Sequence, residues 1–302
     1  MFRALFTLVL GSLLVAALLT PAVASSIYFI WPEASWPFSR IYDRVAMVAV
    51  VVLLYILRGS FDLSVLRQYF ARYRTSLKME RLFLGLLISS LSAALLLPLL
   101  VSSGRLVWSQ ESIGYFVQKA VKSILAGVFV SFLEESLFRG LIFSALKKRV
   151  SLIGAVLITS WLYAFVHFIA PVKTFAYTSF SASAGFYYTA KIFGRFLEGG
   201  LYPAMFGLFL VGLVLCYVMQ HTGSLFLCIG LHSGWAAGLK VVKHVAVVSE
   251  KTVLVPGLGE RYFLLAEPLA WLSIALVAGV MVLCIGVFKC FKEPEQKVEG
   301  VG

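Results

Sequence analysis

The chain has 302 residues, 61% hydrophobic and 13% charged, with a mean hydropathy of +0.94. Soluble globular domains are roughly one-quarter charged, so this balance excludes them and points to a polytopic membrane protein. The net charge of +12 does not mark a nucleic-acid binder, because Lys and Arg sit in short connections between apolar runs, as positive-inside topology and anionic headgroups require.

Runs of about 20 apolar residues, enough to cross a hydrocarbon core, predict spans over 4–30, 41–58, 82–103, 117–148, 151–170, 199–219, 224–245 and 267–289. The first follows Arg3. Its Ala22-Val23-Ala24 has the look of a secretory cleavage site, but the apolar stretch continues through Ile30, so an uncleaved helix is expected. The second span is short, and the connection after it is basic, with Arg58, Arg67, Arg72, Arg74, Lys78 and Arg81. A later connection carries Lys147, Lys148 and Arg149. The stretch 171–198, with Pro171 and Phe186-Tyr187-Tyr188, reads as a long interfacial or re-entrant connection. Lys289, Lys292 and Lys297 flank or lie in a short polar tail over 291–302. Eight spans bring these basic segments to one side, so both termini are expected in the cytoplasm. The compact form points to a bacterial inner (plasma) membrane. The expected fold is an all-α polytopic membrane bundle of about eight transmembrane helices, with 1–302 as a single integral membrane domain. Cys216, Cys228, Cys284 and Cys290 stand singly, without metal-ligand or disulfide spacing.

The most informative run is Glu134-Glu135-Ser136-Leu137-Phe138-Arg139, three ionisable groups inside the fourth span. Each ionisable group costs roughly 2.5 to 3.5 kcal/mol at a helix centre, so the cluster must be paired, buried against protein or functional. At helical spacing Glu135 faces Arg139, four residues on, in the favourable acid-before-base order. Glu134 is turned away from that pair and left available for chemistry. The purely structural alternative is a network of all three that locks this helix to its neighbours. His167 lies in the next span, and a turn near Val150 and Ser151 is the midpoint between residues 134 and 167, so both side chains should share one depth. His232 follows the His221-Thr222-Gly223 turn and enters from the same face. A desolvated glutamate can act as general base on water, one imidazole can hold that water, and a second can face the scissile carbonyl. The same Glu134, His167 and His232 could ligate a divalent metal such as zinc, although no HExxH fixes that geometry. A proton relay for transport is a third use.

EExxxR at 134–139, an aromatic-xxx-His from Tyr163 to His167, and His232 after Thr222-Gly223-Ser224-Leu225 together resemble the CAAX-protease and bacteriocin-processing (CPBP) family of type II CAAX prenyl endopeptidases. The resemblance covers 117–240, a protease-like core. It implies a polytopic intramembrane endopeptidase in which Glu134 is the catalytic general base, Glu135 and Arg139 support it, His167 helps hold the water and His232 contributes to the oxyanion site. Members are described both as metalloproteases and as glutamate-dependent enzymes; no further ligand motif is evident here, so no cofactor is expected to be required. Two positions depart from the family pattern. Tyr163 replaces the usual Phe and keeps its aromatic body. Ala236 stands where many members have Asn or Asp, which removes an oxyanion donor for which Ser233, Trp235 or a water could substitute.

The expected partner is a peptide or lipidated protein tail admitted from the membrane or its cytoplasmic leaflet, with the lipid bilayer around it and no nucleic acid. Two other functions stay open: a non-catalytic CPBP-like binding or immunity protein, motivated by Ala236, and a proton-coupled transporter, which the absence of visible repeats disfavours.

Overall fold

The computed structural model describes residues 2–33, 36–169, 175, 177, 180–197, 199–250, 252 and 259–291. The apolar runs wind into α1 (Phe2–Ile30), α2 (Phe38–Ile56), α4 (Thr75–Ser102), α5 (Ile113–Glu135), α7 (Leu152–His167), α9 (Tyr202–Thr222), α10 (Leu225–Val245) and α12 (Pro268–Val282). Between and beside them lie α3 (Ser64–Ala71), α6 (Ser144–Lys147), α8 (Ala184–Leu197) and α11 (Gly259–Ala266). The architecture is that of a helical membrane bundle.

Among the described residues, six helices are long and apolar enough to cross a membrane, and a seventh span results if the bent pair α2 and α3 counts as one. Two expected spans therefore differ in detail. The second turns by 101° between residues 59 and 64, where Asp62 Oδ1 accepts from Ser64 N at 3.2 Å at the entry to α3. Burial is low there, and the Ser64 hydroxyl and the Lys148 ammonium hold the Asp62 carboxyl below its ordinary range. The fifth, α7, has only 16 residues. The stretch 171–198, expected as a connection, contains the helix α8, which packs on α1; much of its first part lies outside the described residues, as does the tail from residue 292. One further element was not anticipated. Leu106–Trp108 pairs antiparallel with Ala246–Val248, Val107 opposite Val247. Short β-branched and aromatic segments at the ends of α4 and α10 favour this pairing once the helices stop.

Local chemistry sets the helix starts that position the site. Ser112, Ser151 and Ser224 cap α5, α7 and α10, each side chain accepting from the backbone N–H three residues on; such caps contribute about 1 kcal/mol each. Gly223 closes α9 in the left-handed conformation at φ 61°, so the next residue, Ser224, caps α10, which begins at Leu225.

The interior is organised around α10, whose span is 67% buried, the largest share among the six. It packs on α4 and α5. That approach is close because glycine lines it: a Cβ on Gly85 would stand 2.7 Å from Leu227 O, and one on Gly234 would stand 2.6 Å from Leu86 O. Small residues at a membrane helix crossing let the backbones meet and gain dispersion contacts that lipid cannot supply.

Candidate active site

At Ser136 the fourth span leaves α-helical winding and runs as a π-helix over Ser136–Phe143 before resuming as α6. Such inserts widen the turn and occur frequently at functional sites. Glu135 is the last residue before it, and Arg139 lies within it. Arg139 Nη1 donates to Glu135 Oε1 at 2.8 Å, with both side chains fully buried. The guanidinium also rests over the Tyr163 ring at 4.5 Å and directs Nη2 at the Gly212 carbonyl at 3.4 Å. The expected Glu135–Arg139 pair is present, and its remaining partners come from α7, α9 and α10.

Glu134 points elsewhere, into contact with both imidazoles. Its Oε2 lies 3.2 Å from His167 Nε2 and 3.7 Å from His232 Nε2. That oxygen is shielded from solvent, yet no protein donor is aligned with it. The depth match between residues 134 and 167 is thus realised as direct contact, and α10 brings His232 to the same point.

Each histidine is oriented from behind. His167 Nδ1 is 2.7 Å from the Tyr163 carbonyl oxygen, which can only accept, so Nδ1 carries the proton. His232 Nδ1 is 2.9 Å from Glu135 Oε1, the oxygen that also accepts from Arg139, so that ring nitrogen donates as well. In the neutral imidazoles both Nε2 atoms are therefore acceptors facing Glu134. Two carboxylates and one guanidinium leave one negative charge in this pocket. A proton or a cation placed among the three facing atoms balances it.

These atoms fit a divalent metal. Glu134, His167 and His232 each offer one ligand atom, all within 4.8 Å of one another. The Nδ1–H groups are engaged by a carbonyl and a carboxylate, the arrangement that fixes the tautomer of metal-bound histidine. Bound there, a zinc-like ion would acidify a water and polarise a carbonyl.

Tyr163 is buried and touches both imidazoles and the Arg139 guanidinium. Its hydroxyl is 3.2 Å from His232 Nε2, its ring centroid is 4.4 Å from that of His167, and its carbonyl holds His167 Nδ1. The two side chains named as substitutes for a donor at 236 are both hydrogen-bonded elsewhere. Ser233 Oγ donates to Ile229 O in its own helix at 2.5 Å, and Trp235 Nε1 donates to Ser92 Oγ at 3.3 Å. Both donors are consumed by helix packing. Ala236 itself faces a cavity beside His232.

Two apolar cavities flank the cluster. One of about 260 Å³ lies between α1, α2 and the Glu134 side, reached by Val9, Ala46 and Met47. The other, of about 170 Å³, lies among α4, α9, α10, α11 and α12 and reaches Tyr163, His232 and Ala236. His167 borders both.

Residues 116–238 match the type II CAAX prenyl endopeptidase Rce1-like family. The matched segment is about two-fifths of the chain and contains Glu134, Glu135, Arg139, Tyr163, His167 and His232. It agrees with the resemblance carried by those residues. Comparison with curated proteins and with solved structures returns no match. The Rce1-like match and the long apolar helices support, at the level of the family, a CAAX-type multi-pass membrane protease of the hydrolase class.

Proposed function

We propose that this chain is an intramembrane endopeptidase that hydrolyses a peptide bond in a protein or lipidated-protein tail, with Glu134 as general base. The observation that carries this reading is Glu134 Oε2, a shielded carboxylate oxygen without an aligned protein donor, facing two imidazole acceptors where two apolar cavities meet. A water in contact with Glu134 and His167 can donate one proton to each. Glu134 takes a proton as the water oxygen bonds to the scissile carbonyl carbon, and His167 Nε2 holds the second O–H in line. The carbonyl oxygen becomes an oxyanion. When the C–N bond breaks, the proton held by Glu134 passes to the leaving nitrogen and a carboxylic acid remains. Glu135 and Arg139 keep His232 in one tautomer and orientation. No metal is required by these steps.

Purified protein should cleave a quenched-fluorescent peptide or lipopeptide, and Glu134→Gln, Glu134→Ala and His167→Ala should each lower kcat by roughly 10²–10⁴-fold, the loss expected for the base and its water contact. Turnover unchanged by Glu134→Gln would overturn the role. The same three side chains supply the ligand set for a metal-assisted reaction; activity abolished by chelation and restored by stoichiometric zinc would favour that mechanism over the one above. A wild-type chain inert towards a broad peptide library, yet retaining a specific membrane partner, would favour a binding role; solute flux in proteoliposomes would favour transport. The membrane side is part of the proposal: both termini cytoplasmic, in a bacterial inner membrane, with the substrate admitted from the bilayer or the cytoplasmic leaflet.

A further inference from the structure

We infer that the hydroxyl of Tyr163 is the donor that receives the oxyanion of the scissile carbonyl, a role that rests on the endopeptidase reading above. An oxyanion needs a hydrogen-bond donor about 2.7–3.1 Å from where its charge develops. The pocket offers few. Ala236 has none, Ser233 and Trp235 spend theirs on Ile229 and Ser92, and neutral His232 presents an acceptor at Nε2 because its Nδ1–H is held by Glu135. Tyr163 is the hydroxyl in contact with the cluster, 3.2 Å from His232 Nε2 in the cavity that His167, His232 and Ala236 also line; of the two other hydroxyl residues on that wall, Ser273 donates to Ala270 O and Tyr262 packs its ring on Phe168.

The hydroxyl is suitably held. The Tyr163 ring is clamped between the Arg139 guanidinium at 4.5 Å and the edge of Phe138, whose centroid is 5.2 Å away. Only the hydroxyl proton is free to turn about the C–O bond. At rest it points at His232 Nε2, 3.2 Å away; as the oxyanion forms, it exchanges that acceptor for a charged one. If His232 is instead an imidazolium, its Nε2–H donates to the phenol oxygen and the Tyr163 proton points onward. In either state the phenol keeps its proton, so no proton is gained or lost at Tyr163. The new bond is water oxygen to carbonyl carbon, the broken one is C–N, and the proton balance runs through Glu134 alone. The hydroxyl thus supplies from α7 what Ala236 cannot supply from α10.

The test compares wild type, Glu134→Gln, Tyr163→Phe, Ala236→Asn and Tyr163→Phe/Ala236→Asn on one peptide substrate, full-length and purified, with thermal midpoints as a check on folding. Tyr163→Phe should lower kcat about 100- to 1000-fold, the loss typical of one oxyanion donor, with KM within threefold. Asn at 236 should recover at least tenfold in the Tyr163→Phe background and distinctly less in the wild type. If Glu134→Gln is dead while Tyr163→Phe stays within threefold of wild type, the hydroxyl has no such role and the endopeptidase reading stands. Equal gains from Ala236→Asn in both backgrounds also overturn the role. If wild type and Glu134→Gln are equally inert, the endopeptidase reading and the role of Tyr163 fall together.

Discussion

Glu135 accepts from Arg139 and from His232 with the same oxygen, so one buried carboxylate serves both structure and site geometry. The two uses separate by mutation. Glu135→Gln leaves a guanidinium without its counter-charge in a fully buried position, and breaking such a pair from one side costs about 3–5 kcal/mol. A large fall in thermal midpoint in detergent is the expected result. Replacing both members, Glu135→Leu with Arg139→Met, removes the uncompensated charge and should restore much of that stability, because apolar replacement of a buried pair is often neutral or better. Peptidase activity should nevertheless stay lost, since His232 Nδ1 then has no acceptor. A stable and fully active double variant would show that the pair does not orient His232. The sequence makes the Glu135–Arg139 contact legible, because four residues bring two side chains onto one helix face. It does not reveal that Tyr163 would reach His232, or that Ser233 and Trp235 would turn to other acceptors. Helical spacing says which residues share a face, but the neighbouring helix decides which donor is used.

At the scale of elements, the site depends on how closely α4 and α10 approach. Gly234 is two residues from His232, and its missing Cβ would meet the Leu86 carbonyl at 2.6 Å. A methyl group there must push the helices apart, since backbone cannot yield as a side-chain tip does. Gly234→Ala is therefore expected to lower kcat at least tenfold and to lower the thermal midpoint, with the protein still inserted in the membrane. Gly279 in α12 provides the control, because nothing lies within 4 Å of its added Cβ; there the change should stabilise by about 0.5–1 kcal/mol through helix propensity. If both substitutions behave alike, close packing of α4 on α10 does not set the position of His232. The helices themselves were readable from hydrophobic runs. The turn between α2 and α3 was not, because mean hydropathy over 41–58 carries no information about where the chain bends.

At the scale of the whole molecule, the cluster stands between two apolar spaces built from helices far apart in sequence, so neither was legible before the chain was folded. Their positions predict different kinetic roles. The larger runs between α1 and α2, and its lining residue Met47 is 49% exposed on the outer face of the bundle, where lipid would lie. This is the side from which a membrane-borne tail reaches Glu134 under the proposed function. The smaller adjoins Tyr163, His232 and Ala236, where charge develops. Filling the first with an indole, Ala46→Trp, removes apolar volume that binds ground state and transition state alike, so KM should rise several-fold with kcat held within about twofold. Filling the second, Ala93→Trp, presses on the groups around the reacting carbonyl and should lower kcat at saturating substrate, because displacements near 1 Å can cost on the order of 100-fold in rate. Steady-state kinetics on one lipopeptide in proteoliposomes separates the two effects. The reverse pattern, with kcat falling for Ala46→Trp and KM rising for Ala93→Trp, would put the binding of the tail on the α4–α10 side and require the substrate to approach from there.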